Sequence, residues 1–157
     1  MSAPAAGDPA PDFALPDEQG SLHRLTDRTG VWTVVYFYPK DDTPGCTTEA
    51  CQFTTLESEI RALDGEIWGI SPDRARSHSA FRAKFGLSFP LLSDTDHAVA
   101  EAYGAWQEKM NYGKAYMGIV RSSFLVGPDG RIAEAWPKVR ADGHAAEVLA
   151  ALRAARG

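Results

Sequence analysis

Residues Val31 to Tyr38 read VWTVVYFY, an unbroken run of β-branched and aromatic side chains. A strand with one face in water alternates apolar and polar residues, whereas a run without alternation is covered on both faces. The rest of the chain must therefore supply helices for two sides of a sheet. Pro39 ends the run, and Lys40-Asp41-Asp42 reads as a polar, solvated turn. Thr43-Pro44 then suits a helix start, with threonine at the N-cap and proline at the first helical position. An apolar stripe at Ala50, Phe53, Leu56, Ile60 and Leu63 carries that helix forward until Asp64-Gly65 closes it.

Further on, Glu66 to Ile70 reads as a second buried strand. Ser71-Pro72-Asp73 opens another helix, with His78, Phe81 and Phe85 on one face and Gly86 at its stop. Phe89 to Leu92 is a short extended piece that Pro90 marks as an edge. Asp96 can cap a brief helix carrying Val99, Ala102 and Tyr103, ended by Gly104. Residues 105–118 show no period and read as a long loop, which is usually functional or mobile. Ile119 to Val126 and Arg131 to Trp136 flank Gly127-Pro128-Asp129-Gly130 as a hairpin. A last helix from about His144 to Ala155 buries Val148, Leu149 and Leu152. Upstream, residues 1–10 are small, polar and proline-rich and read as a loose N-terminal arm, with a short strand following over Ser21 to Leu25. Helices between the early strands imply parallel crossovers, and the late hairpin adds antiparallel edges. The expected fold is a single α/β domain over residues 1–157: a thioredoxin-like sandwich with a central mixed β-sheet flanked by helices.

The net charge of −5 argues against nucleic acid and anionic membrane surfaces as partners. No apolar run approaches the ~20 residues that span a bilayer, and the N-terminus lacks the pattern of a signal peptide. The chain has two cysteines, too few to staple a secreted scaffold. A reducing cytoplasm is the expected location.

Both cysteines, Cys46 and Cys51, fall in the first turns of the helix that follows the apolar run. With Thr43 as N-cap, Cys46 occupies the third helical position, where a capping box places a glutamate. The unpaired N–H groups and positive dipole end favour an anion there. Taken alone, Cys46 reads equally as a small buried hydrophobe or as a reactive thiol. A dipole supplies only ~0.3–1 kcal/mol, at best about 2, and an ordinary thiol is only a few per cent ionised near neutral pH. A reactive thiol at this position thus needs a cation close by. Around the helix, at about 100° per residue, Glu49 shares the core-facing side with Cys46, while Cys51 lies on roughly the opposite side. A core-facing carboxylate requires a paired donor. Arg121, in Val120-Arg121-Ser122-Ser123-Phe124, reads by itself as an exposed arginine at a strand end. The histidines His23, His78, His97 and His144 are scattered, read as surface or interfacial residues, and have no ligand-like spacing to the cysteines.

Pro39-x-x-x-Thr43-x-x-Cys46, preceded by Phe37-Tyr38, resembles the peroxiredoxin active-site motif. TPGCTTEAC, with its second cysteine five positions on, resembles the Q-type (bacterioferritin comigratory protein) branch of that family. PDFAL near the N-terminus, SPDRARSHSAFRAKFGLSFPLLSD, YGKAYMGIVRSSFLV and WPKVRADGHAAEVLAAL follow in matching order, so the resemblance covers nearly the whole chain. It implies a thiol-dependent peroxidase acting on hydrogen peroxide and organic hydroperoxides. Cys46 would be the peroxidatic thiolate and Cys51 the resolving cysteine. Thr43 and Arg121 would be the groups that bind peroxide and thiolate, Pro39 a shield from bulk water, and Glu49 the residue that holds the arginine. Oxidation would yield a Cys46–Cys51 disulfide, reduced in turn by thioredoxin or a similar dithiol protein. Neither a cofactor nor a metal is implied, and a monomer is expected. A general disulfide oxidoreductase and a redox-switch sensor without peroxidase turnover remain as alternatives; against the former stands the lack of a C-x-x-C sequence.

Overall fold

The computed structural model describes residues 3–157. Its frame is a five-stranded mixed sheet formed by β3 (Trp32–Phe37), β4 (Gly65–Ser71), β5 (Leu91–Ser93), β8 (Ser122–Val126) and β9 (Ile132–Trp136). The strand order is β5-β4-β3-β8-β9, which puts the apolar run at the centre. β3 pairs in parallel with β4, Val35 opposite Trp68, and antiparallel with β8, Val35 opposite Phe124.

The absence of alternation in β3 has the expected cause, since both faces are covered. Val34, Tyr36 and Tyr38 pack with Phe53 and Ile60 of α1 (Pro44–Ala62), Phe81 of α2 (Ala75–Phe85), and Val148, Leu149 and Leu152 of α4 (His144–Arg156). Val35 and Phe37 face the other way, against Phe13, Phe124, and Val99 and Ala100 of α3 (Ala98–Ala102) with the adjoining Tyr103. Each side chain so buried contributes about 1.5–3 kcal/mol. Gly69 faces Tyr36 across the β3–β4 register, and a Cβ there would lie 2.9 Å from the Tyr36 hydroxyl. Its missing side chain is what lets the Tyr36 ring stack on Phe53, with centroids 4.8 Å apart.

Three local expectations differ from the structure. Residues 105–118 are not a loop: β6 (Trp106–Asn111) and β7 (Lys114–Ile119) form an antiparallel hairpin. Its two-residue turn, Tyr112-Gly113, has φ of 52° and 79°, the left-handed pair that a tight hairpin favours. Most of its side chains are exposed on both faces, so no alternation marks it in the sequence. Ile119 belongs to this hairpin, and the following strand begins only at Ser122. Of the arm expected to be loose over 1–10, residues 1 and 2 lie outside the described residues. The rest is tethered: Gly7 N and Ala10 N donate to the carbonyls of Ile132 and Gly130, and Ile132 N donates back to Asp8. A separate small sheet pairs β1 (Ala14–Pro16) with β2 (Leu22–Arg24).

Candidate active site

The sequence delivers Cys46 to one spot in the fold. β3 ends at the sheet's C-terminal edge, the turn reverses direction, and α1 begins with Thr43 as N-cap (φ −103°, ψ 155°) and Pro44 in the first turn. Cys46 is therefore the third helical residue, and only 2 % of it is exposed. No acidic residue occupies that first turn. The anion-favouring end of the helix is left to the thiol.

The cation is Arg121. It sits in the short link between β7 and β8, where its carbonyl accepts a hydrogen bond from Val139 N at 3.0 Å. Its Nη2 donates to Cys46 Sγ at 3.2 Å, and its Nη1 donates to Glu49 Oε1 at 2.6 Å. Gly45 makes room for this approach, because a Cβ there would lie 3.1 Å from Nη2. A charge-assisted hydrogen bond is worth about 1.5–3 kcal/mol, and the helix end about 0.3–2. Both interactions bring positive charge to the sulfur, where the dipole acting alone would be the weaker of the two.

Glu49 is wholly buried, and burial pushes its carboxyl up to about 7 even though Arg121 pulls the other way. Its second oxygen, Oε2, has no hydrogen-bond partner among the described residues. Burial also works against the charge on Arg121, but Glu49 and Cys46 together outweigh it and hold the guanidinium above its ordinary value. Tyr36 stays a neutral phenol beside this group, held far up first by burial and then by Glu49 and Cys46. The result is a carboxylate–guanidinium–sulfur line in a nearly dry setting. The guanidinium is fixed by the carboxylate and faces the sulfur with its remaining edge.

The other expected residues are placed as follows. Thr43 Oγ1 does not cap the helix N–H groups; it donates to the Lys40 carbonyl at 2.9 Å, which leaves its lone pairs as acceptors. Pro39 follows β3 and is half-buried. Cys51 is half-buried on the same unbroken helix, and both thiols are free. The structure thus brings Cys46, Arg121 and Glu49 into contact and keeps Cys51 apart from them. An open groove of about 460 Å³ borders Arg121, lined also by Met110, Val120, Lys138 and Val139.

Three expectations about polar residues are corrected. Asp41 is not in a solvated turn but is 6 % exposed, and His78 and His144 are fully buried rather than at the surface. His144 Nε2 lies 2.8 Å from Ser123 Oγ, its ring stands edge-on to Trp136 and Phe53, and burial lowers its basicity. His78 had one legible signal, its place three residues before Phe81 on the apolar face of α2. Asp41, Asp73 and His78 have ligand atoms within 4.8 Å of one another, but Tyr38, Ser77, Ser71 and the Asp41 N–H already bond to their carboxylates. Gln52, beside Cys51, grips the segment before α4: its Nε2 donates to Asp142 Oδ1 at 2.6 Å and its Oε1 accepts from Gly143 N at 2.9 Å.

Comparison with known proteins identifies the family. The AhpC/TSA family profile matches residues 6–135. Peroxiredoxin Bcp of Bacillus subtilis is 46 % identical over 147 residues, covering 94 % of each chain. Peroxiredoxin Bcp of Escherichia coli is 44 % identical over 149 residues, 95 % of this chain and 96 % of that one. Among solved structures, the bacterioferritin comigratory protein of Xanthomonas campestris, described for alkyl peroxide reduction, superposes with a TM-score of 0.91. It is 44 % identical, over 97 % of this chain and 99 % of that one. The chain belongs to the AhpC/TSA family, as a thiol peroxidase of the peroxiredoxin kind.

Proposed function

We propose that Cys46 is the peroxidatic nucleophile, acting on hydrogen peroxide and organic hydroperoxides, and that Cys51 resolves the oxidised form. The observation that carries this reading is the 3.2 Å contact of Arg121 with a buried sulfur at a helix N-terminus. In the first step, the Cys46 thiolate attacks the terminal oxygen of ROOH. An S–O bond forms, the O–O bond breaks, and the leaving alkoxide takes a proton to depart as alcohol or water. Arg121 and the N–H groups of the first turn of α1 stabilise the charge that moves from sulfur to the leaving oxygen. Thr43 Oγ1, whose hydrogen is committed to the Lys40 carbonyl, accepts the O–H of the incoming peroxide. Pro39 shields the sulfur, and Glu49 holds the guanidinium. In the second step, the Cys51 thiol condenses with the sulfenic acid, releasing water and leaving a disulfide. A dithiol protein of the thioredoxin kind then reduces that disulfide by exchange.

The same reading takes the chain as one domain working as a cytoplasmic monomer, with neither nucleic acid nor membrane as partner. No helix among the described residues is long and apolar enough to cross a membrane. The test is peroxide consumption by the purified protein coupled to a thioredoxin system. Steady turnover in the wild type and none in a folded Cys46→Ser variant is the expected result. Turnover in Cys46→Ser overturns the assignment of the nucleophile.

A further inference from the structure

Just before the helix that carries Cys46, a buried polar cluster does something the reaction scheme leaves unused. Asp41 lies two residues ahead of the N-cap, in a turn that would ordinarily be solvated, yet it is 6 % exposed. Its Oδ1 accepts the Tyr38 hydroxyl at 2.6 Å. Its Oδ2 accepts Ser77 Oγ at 2.8 Å and lies 2.7 Å from His78 Nδ1. The other ring nitrogen, His78 Nε2, is 3.1 Å from the Leu92 carbonyl. A carbonyl can only accept, so Nε2 carries a hydrogen. The backbone of Asp41 is fixed as well: its N–H donates to Asp73 Oδ2 at 2.8 Å, and Ser71 Oγ donates to the same oxygen at 2.7 Å.

One turn residue is thus bonded through both carboxylate oxygens and its amide to β3's end, β4's end and α2, with His78 extending the link to β5. Burying this many polar groups is costly unless each is satisfied, and a turn that only had to reverse the chain would leave them in water. On either side of Asp41 lie the two features that matter for peroxide. Lys40 supplies the carbonyl to which Thr43 Oγ1 donates. Asp42 takes a left-handed φ of 58° that brings the chain round to the cap. Holding Asp41 therefore fixes the Lys40 carbonyl, and with it the direction of the Thr43 hydroxyl hydrogen.

We propose that Asp41, locked by Tyr38 and His78, is a positioning residue for the peroxide reaction, holding the Lys40–Thr43 turn so that the Thr43 oxygen is presented to the hydroperoxide as an acceptor. The inference rests on the proposed role of Cys46 and Thr43. It separates reactivity towards peroxide, which needs the turn, from reactivity of the thiolate in general, which does not.

The test compares second-order rates of hydrogen peroxide and of iodoacetamide with Cys46 in the reduced full-length protein. In Asp41→Ala the peroxide reaction slows by about 10–100-fold while alkylation stays within about twofold, because a misplacement of about 1 Å is costly only for the oriented reaction. Asp41→Asn recovers most of the peroxide rate, since its carboxamide can accept from Tyr38 and donate to His78 Nδ1. Tyr38→Phe removes the donor to Asp41 Oδ1 but keeps Ser77 and His78 on Oδ2, and slows peroxide alone by a smaller factor, which keeps the test open if Asp41→Ala does not fold. An unchanged peroxide rate in Tyr38→Phe and Asp41→Ala overturns the proposal, as does an equal slowing of both reactions or an Asn variant as slow as Ala. A wild type in which peroxide does not react at Cys46 fails the underlying assignment instead, and mass analysis of the oxidised wild type distinguishes the two failures.

Discussion

Replacing Arg121 by methionine leaves Glu49 as a wholly buried carboxyl without its donor. The wild-type contact is 2.6 Å, Glu49 is 0 % exposed, and the arginine side chain is 16 % exposed. Removing one partner of a buried ion pair costs about 3–5 kcal/mol when the survivor must stay charged. Glu49 has an alternative, which is to hold its proton. Its folded carboxyl already sits at about 7, above the ordinary 4.5, because burial outweighs Arg121, and losing Arg121 moves it higher. A carboxyl raised on folding contributes stability that is fully present below its unfolded value and lost as pH rises through its folded value. The Arg121→Met penalty is therefore smallest at about pH 5, where Glu49 is protonated in both proteins, and grows by up to about 1.4 kcal/mol by about pH 8, one unit above the wild-type value. Denaturant unfolding of the reduced proteins at the two pH values measures this. Glu49→Gln in the same chain should remove most of the pH-dependent part. A penalty equal at both pH values, or unaffected by Glu49→Gln, would refute the reasoning.

Two further outcomes follow from the helix that carries both cysteines. Residues five apart on an α-helix are about 8.7 Å between Cα atoms and roughly 140° apart around the axis, whereas a disulfide tolerates at most about 7 Å. Forming Cys46–Cys51 must therefore unwind the start of α1, and amide exchange of residues 46–54 should be markedly faster in the oxidised protein; equal protection with the disulfide confirmed by mass would show Cys51 or the helix placement to be wrong. Gln52→Ala frees the neighbour of Cys51 from Asp142 and Gly143. It should speed disulfide formation after sulfenic acid by up to about thirtyfold, the worth of two exposed hydrogen bonds of about 1 kcal/mol each, as followed by tryptophan fluorescence; a slower step would mean that the clamp assists resolution.

The sequence carried the central strand and the nucleophile's helix because both rest on local rules. Val31 to Tyr38 lacked alternation, and the structure covers both its faces; Thr43-Pro44 marked a helix start, and α1 begins there. The spacing from Cys46 to Glu49 placed both on the inner side of α1, and the need of a buried glutamate for a donor pointed outward to a cation. That Arg121 meets them is a long-range contact, legible through the resemblance and not through any local pattern. Pattern failed where side chains answer to water on both sides or to partners far along the chain. The hairpin over 106–119 has exposed residues on either face, so its only sign was the Tyr112-Gly113 turn. Asp41 looked solvated because its partners, Tyr38 aside, lie more than thirty residues on, in α2 and at Asp73. His144 was hidden for the same reason, its hydroxyl partner being in β8.

The central claim is that one buried sulfur, Cys46, takes the peroxide oxygen with Arg121 beside it, and that Cys51 acts only afterwards. Mixing reduced Cys51→Ser with one equivalent of hydrogen peroxide, trapping with a sulfenic-acid probe and mapping the adduct by mass spectrometry tests it most directly. The account predicts a single stable adduct at Cys46, formed as fast as wild-type protein is oxidised, and further oxidation of the same sulfur when peroxide is in excess. An adduct absent from Cys46, or formed there much more slowly than the wild type reacts, would contradict it.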